Sequence, residues 1–284
     1  MSRPVDTAAL GPPIRGPSAF AGDRRRFLFL TRTLAVMEFR VRFFGSALGY
    51  LWHLARPLLL FGVLFLVFTK FVRFNQGVHF FPAVLLTGIV LYTFFSDATS
   101  AAVTSVADRE NLVRKIQFPR LVVPLSVVLT AGFNLCLNML AVMVFVLATG
   151  VNPRVEWLLM PLIMLSLALL AVGVSSLLSA LYVRFRDLKP IWEVVLQVLF
   201  YASPILYAIE VVPSEGLRRA LMLNPIAAML QQSRHWLIDP SAPSAAQAAG
   251  SRLLLLVPAA IVVGLLVLGL WVFDREAPRI AEEL

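Results

Sequence analysis

The residues able to do chemistry are few and scattered. His53, His79 and His235 lie far apart, and no His-Glu-x-x-His run sets two imidazoles on one helix face to hold zinc. No Gly-x-Ser-x-Gly elbow presents a serine nucleophile. The three lysines, Lys70, Lys115 and Lys189, follow Thr69, Arg114 and Leu188, so no GxxxxGK[ST] phosphate loop can be drawn. A single cysteine, Cys136, allows no internal disulfide. The chain therefore reads as a non-enzyme without a metal or cofactor of its own, and any nucleotide energy it uses must come from another polypeptide.

The side chains left to consider are aromatic rings, arginines and two acids. Trp192, Phe200, Tyr201 and Tyr207 cluster around Ser203 and Pro204. Aromatic faces stack on sugar rings and tyrosine hydroxyls meet sugar hydroxyls, so such a cluster suits a glycan path. The same residues also fit the aromatic belt of any membrane protein. Pro204 breaks the backbone ladder, which is tolerated in a bilayer where neighbours or cavity water satisfy the freed carbonyls. Asp97 is the one acid well inside an apolar stretch, and Glu193 sits within a turn of a stretch end. An isolated acid at a span centre costs about 2.5–3.5 kcal/mol, so Asp97 is either a proton relay or a wetted group.

These residues are carried by six apolar stretches, roughly Pro57 to Phe71, Phe81 to Val103, Leu121 to Ala148, Trp157 to Tyr182, Ile191 to Ile209 and Leu253 to Phe273. A span needs about 20 apolar residues. Five qualify, and the first must recruit Tyr50 to Arg56, with Trp52 at headgroup level. The fold class expected is an all-α integral membrane protein with six transmembrane helices. Composition agrees, with 59% hydrophobic and 14% charged residues. With the amino terminus inside, 18 of the 25 Lys and Arg fall on inner segments. The positive-inside rule thus places both termini in the cytoplasm. The net charge of +9 sits at span ends without a nucleic-acid fold, which argues against a nucleic-acid partner.

Residues 1–23 are rich in Pro and Gly and are expected to form a disordered cytoplasmic tail. Over 24–47, Phe27, Leu30, Leu34, Met37, Val41 and Phe44 recur at steps of three and four, with Arg25 and Arg32 opposite. That pattern predicts an amphipathic helix at the inner membrane surface, where arginines attract anionic headgroups, or a collar packed on the spans. The loop 104–119 mixes Asp108, Arg109, Glu110, Arg114 and Lys115 with Leu112 and Ile116. It is either a solvated turn or a short helix whose Leu112 and Ile116 fill a partner's pocket. In 210–252, Ser214 to Leu223 and Pro225 to Leu237 read as two short external helices, the second capped by Asn224. Ser241 to Ser251 reads as a linker, and 274–284 as a cytoplasmic tail.

Five motifs stand in order along this six-span pattern. They are Ser46 to Trp52 followed by Arg56-Pro57-Leu58; Glu110 to Arg120; Arg186 to Trp192; Leu199 to Ile205; and Asn224-Pro225. From about Arg24 to Phe273 the chain resembles the permease subunit of ABC transporters that export O-antigen, capsular polysaccharide or teichoic acid. It departs from that pattern in its long amino-terminal head and in His53 and Arg56, where less polar residues are expected.

The resemblance implies a homodimeric permease in the bacterial inner membrane. It would work with two ATPase subunits that bind ATP and Mg, and would carry a polyprenyl-pyrophosphate-linked polysaccharide. The family's ATPase-coupling region falls on Arg32, Glu38, Asp108, Arg109, Glu110, Asn111, Leu112, Arg114 and Lys115. The glycan path falls on Tyr50, Trp52, Trp192, Phe200, Tyr201 and Tyr207, and contact with pyrophosphate on Arg40, Arg42 or Arg114. The alternatives are an exporter permease for a drug or simple lipid, an ion-coupled carrier, or a membrane enzyme.

Overall fold

A computed structural model describes residues 24–44, 49–72, 78–110 and 119–283. The expected disordered tail, 1–23, lies outside the described residues. Among those described, the chain is helical and contains no strand. In order the helices are α1 (Arg24–Phe44), α2 (Gly49–Leu66, continued by a π-helical Val67–Val72), α3 (Phe81–Ser105), α4 (Val122–Ala148) and α5 (Met160–Tyr182). Then follow α6 (Leu188–Tyr201), α7 (Glu215–Met222), α8 (Pro225–Ser233), α9 (Ala245–Ala249) and α10 (Leu256–Glu283).

The centre of the packing is α3, which touches α2, α4, α5 and α6. Its Leu85, Leu86, Ile89, Leu91 and Phe95 are each at most 2% exposed. A helix apolar all round belongs in such a position. By contrast α4 and α10 leave Leu140, Val144, Val267 and Trp271 exposed. Those outer rows are the faces that hydrocarbon would cover.

Of the six expected spans, four are helices both long and apolar enough to cross a membrane: Phe81–Ser105, Val122–Ala148, Val155–Tyr182 and Leu253–Pro278. The first expected span is helical as α2, with Pro57 inside the helix, and its side chains are described only from Ala55 onward. The segment expected as a fifth span, Ile191 to Ile209, is helical only to Tyr201. Fourteen residues reach about 21 Å, short of roughly 30 Å of hydrocarbon. Pro204 has no N–H and cannot extend the ladder, and the Ala202 N–H closes the last turn on Val198 O at 2.8 Å. At the other end α10 passes Phe273, where the last span was expected to stop, and stays helical to Glu283.

The tightest crossing is between α5 and α10. A Cβ built on Gly173 would lie 2.6 Å from Leu266 N, and one on Gly269 would overlap the carbonyl of Gly173. Small residues that let backbones touch are the usual means of packing helices in lipid. Gly264, on the same α10, has open space at its Cβ position. Gly173→Ala should therefore cost about 1–3 kcal/mol, the range for overpacking a filled contact. A lowered thermal midpoint of the detergent-solubilised protein, with Gly264→Ala unchanged, is the expected result; equal midpoints would contradict the contact.

Candidate functional site

On α1 the buried face is Phe27, Leu30, Thr31, Leu34, Ala35 and Glu38, spaced as one stripe of a helix. Phe27, Leu30 and Leu34 pack on a cluster made by Val106 after α3, Leu121 to Val123 at the start of α4, and Phe273 and Ala277 on α10. Phe39 adds an edge contact with Phe133 of α4, centroids 5.8 Å apart. The helix predicted here is present, but its inward face is rotated from the one expected. Met37 and Val41 are 57% and 76% exposed, and the acid Glu38 takes the inner position instead.

Glu38 is accommodated because charge and hydrogen bonds meet it there. Its Oε1 accepts from the guanidinium of Arg109, which follows α3 in a 3-10 turn over Ala107–Arg109. The Ser126 hydroxyl of α4 lies 3.2 Å from Oε1, and the Thr130 hydroxyl 3.5 Å from Oε2. Both hydroxyls have nearer acceptors in their own helix, Val123 O for Ser126 and Ser126 O for Thr130, each at 2.8 Å, so the guanidinium is the carboxylate's main partner. The Glu38 and Arg109 side chains are only 15% and 25% exposed. In such surroundings a charge-assisted bond is stronger than at an open surface, and losing one partner leaves the other charge stranded. Three separate segments, α1, the turn after α3 and the first turns of α4, are thus pinned at one carboxylate.

Among the other residues of the expected coupling region, Asp108 is exposed and accepts from Thr104 Oγ1 at 2.7 Å. Glu110 is half-buried, and Arg32 and Arg40 are exposed on α1. Asn111, Leu112, Arg114 and Lys115 lie outside the described residues. Arg42, Tyr50 and Trp52 lie on described helices, Arg42 on α1 and the other two on α2, but their side chains lie outside the described set. The structure also reveals partners that the sequence reading did not single out. Ser126 and Thr130 stand four apart within an apolar run, a spacing that puts two hydroxyls on one face. Arg120, beside the same turn, is 3% exposed.

The aromatic cluster divides into inward and outward members. Trp192 donates from Nε1 to Thr99 Oγ1 at 3.0 Å and meets Phe95 edge-on at 6.4 Å. Phe200 packs against Tyr92 at 5.2 Å, and the Tyr92 hydroxyl donates to Leu196 O. Tyr207 is half-buried against the main core. Tyr201 alone of the four stands well out, 60% exposed, in line with exposed Val194 and Val198 on α6.

Beyond α6 the chain folds into a tied-down cap. Asn224 caps α8, accepting from Ile226 N at 3.0 Å, while its Nδ2 donates to Ser203 Oγ at 3.1 Å beside Pro204. Arg234, 6% exposed, pairs with Glu210 at 2.8 Å, and Arg218 donates to Val212 O and Glu210 O. The stretch read as a linker holds a structured element: α9 begins with a capping box between Ser244 and Gln247, and Gln231 fastens Pro243 O at 2.6 Å. Serine, alanine and proline look like linker composition, but the Ser-x-x-Gln spacing is a helix start.

Among the described residues the chain is helical, with several bilayer-length apolar helices and an amphipathic helix clamped across one end, which is the make-up of an integral membrane protein. Its residues 30–237 match the family model described as ABC-2 type transporter, and the chain belongs to that family. It is similar to the O-antigen export system permease protein RfbA of Myxococcus xanthus, with 29% identity across 89% of this chain and 94% of the relative. To RfbA of Klebsiella pneumoniae the identity is 30% across 68% and 74%. To the polysialic acid transport protein KpsM of Escherichia coli it is 24% across 71% and 78%.

Glu38→Gln and Arg109→Gln should each destabilise the chain, and the double variant should lose less than their sum. A coupling of about 0.5–3 kcal/mol is the range for residues sharing one network. Thermal unfolding of the four proteins in detergent measures it, and strict additivity would remove the clamp from the account.

Proposed function

We propose that this chain is the membrane-spanning subunit of an ATP-driven exporter that moves a lipid-linked polysaccharide across the bacterial inner membrane. What carries the reading is the ABC-2 match over residues 30–237, joined to relatives named as O-antigen and polysialic acid permeases that align with most of the chain. In this reading α2 and α6 complete a set of six crossings, helped by Tyr50 to Arg56 and by the segment after Tyr201. Both termini face the cytoplasm. Energy comes from two separate ATPase subunits that hold ATP and Mg, and a second copy of the chain completes the conduit, since six helices pack with little room for a hydrated glycan.

The mechanism follows from the clamp. An ATPase that moves α1 moves Glu38, and with it the turn after α3 and the start of α4. Nucleotide binding then needs only to favour one arrangement of this joint over another. The loop through Asn111 and Leu112, beside Arg109, is the second contact with the ATPase. Tyr201, exposed in the row with Val194 and Val198, is the aromatic best placed to line the path, while Trp192 and Phe200 stiffen its wall. The carrier's pyrophosphate meets arginines at the inner surface, where Arg40, Arg42 and Arg114 offer paired donors. The segment around α7, α8 and α9 covers the outer end.

Deleting the gene should strip the polysaccharide from the cell surface and leave carrier-linked polymer inside; intact surface polymer would refute the assignment. Copurification with an ATPase should survive Leu112→Ala and fail with Leu112→Glu, because a charge in an apolar pocket is costly. If Arg40→Gln, Arg42→Gln and Arg114→Gln all export normally, these arginines do not hold the pyrophosphate.

A further inference from the structure

A second group of polar side chains lies away from the clamp, along the seam where α2, α3 and α4 meet. Arg56 of α2 and Asp97 of α3 approach to 3.8 Å, with side chains 73% and 47% exposed. Pro57, Thr93, Asp97, Asn134 and Asn138 line a shallow cleft of about 30 Å³ beside them. Asn134 and Asn138 stand one turn apart on α4, and Asn138 Nδ2 donates to Asn134 O at 3.0 Å.

The depth of this group makes it informative. Counted from the helix ends nearest the clamp, Arg56 lies about 10 Å along α2, Asp97 about 12 Å along α3, and Asn134 and Asn138 about 18 and 24 Å along α4, at 1.5 Å per residue. The seam therefore covers about 14 Å along helices long enough to cross roughly 30 Å of hydrocarbon. Charged side chains at such depth face a protein interior or a water-filled space. Here they are open to the outside of the protomer, where lipid is the costly neighbour and a hydrated space the favourable one.

The groups also match one ligand chemistry. A guanidinium supplies several donors, a carboxylate only acceptors, and two amides supply both, which is the set that adjacent sugar hydroxyls use as donors and acceptors together. The 30 Å³ cleft is about the size for one water, so a sugar ring would lie across the seam and not sink into it.

We propose that the Arg56–Asp97–Asn134–Asn138 seam is a hydrated binding site within the membrane that contacts a sugar unit of the exported polymer. The sugar assignment rests on the export reading above; the hydration does not. The single native cysteine makes a direct test simple. In full-length Cys136→Ser protein in its native membrane, Asn134→Cys and Asn138→Cys are reacted with a charged methanethiosulfonate, with Leu140→Cys and Val144→Cys on the outward side of α4 as controls. Reaction requires a thiolate, so the seam positions should label at least about tenfold faster than the controls.

The labelling is repeated in cells blocked at the first sugar transfer of polymer synthesis, where the seam positions should react faster still. Seam rates equal to those of Leu140→Cys overturn the hydrated site, whatever the cargo. Fast rates that ignore polymer synthesis overturn the sugar contact. Failure of the export reading registers separately, as surface polymer that persists when the gene is deleted.

Discussion

In hydrocarbon an apolar side chain gains nothing by leaving lipid for a neighbouring helix, so membrane helices are held by close packing and by polar contacts. This chain shows both at separate places. Gly173 and Gly269 let α5 and α10 meet backbone to backbone, and Trp192 to Thr99 and Tyr92 to Leu196 fasten α6 to α3. With α3 buried along most of its length, α2, α4, α5 and α6 are all placed against it. The short α6 can end early because its position is set by bonds to α3 and not by its own length.

The same economy of polar groups explains how α1 is joined to the spans. Apolar contacts from Phe27, Leu30 and Leu34 would hold α1 against its neighbours but would let it slide. Glu38 removes that freedom. The Glu38 carboxylate meets the Arg109 guanidinium, with the Ser126 hydroxyl 3.2 Å away, at one position of α1 along its axis. Displacing α1 along its axis breaks the set, so displacement must be passed to the end of α3 and the start of α4.

Much of this architecture is legible in the sequence, because long apolar runs and period-3.6 stripes are strong signals. Three of the four bilayer-length helices begin and end close to where hydropathy places them, while the last runs on past Phe273 to Glu283, and Asn224 with Pro225 announces α8. Two kinds of feature escape. The first is rotation: in α1 both the stripe through Met37 and the one through Glu38 have helical spacing, and only tertiary contacts choose between them. Burying an acid looks wrong until Arg109, 71 residues on, is known to face it. The second is early termination. Pro204 marks a break, but whether the chain resumes as a helix or folds back into a cap depends on Asn224 reaching Ser203, 21 residues away. The aromatic cluster shows the same limit, since residue type cannot tell Trp192, bonded inward, from Tyr201, standing outward.

One consequence follows from the length of α10. Its 28 residues make a rod of about 42 Å, longer than the hydrocarbon is thick, and its last third places Phe273 and Ala277, both wholly buried, under α1. The last helix is therefore a strut, wedged against α5 through glycine along its length and packed under α1 at its foot. Any tilt of α1 leans on that foot, so a displacement of α1 reaches the α5–α10 crossing by a second route that needs no ion pair.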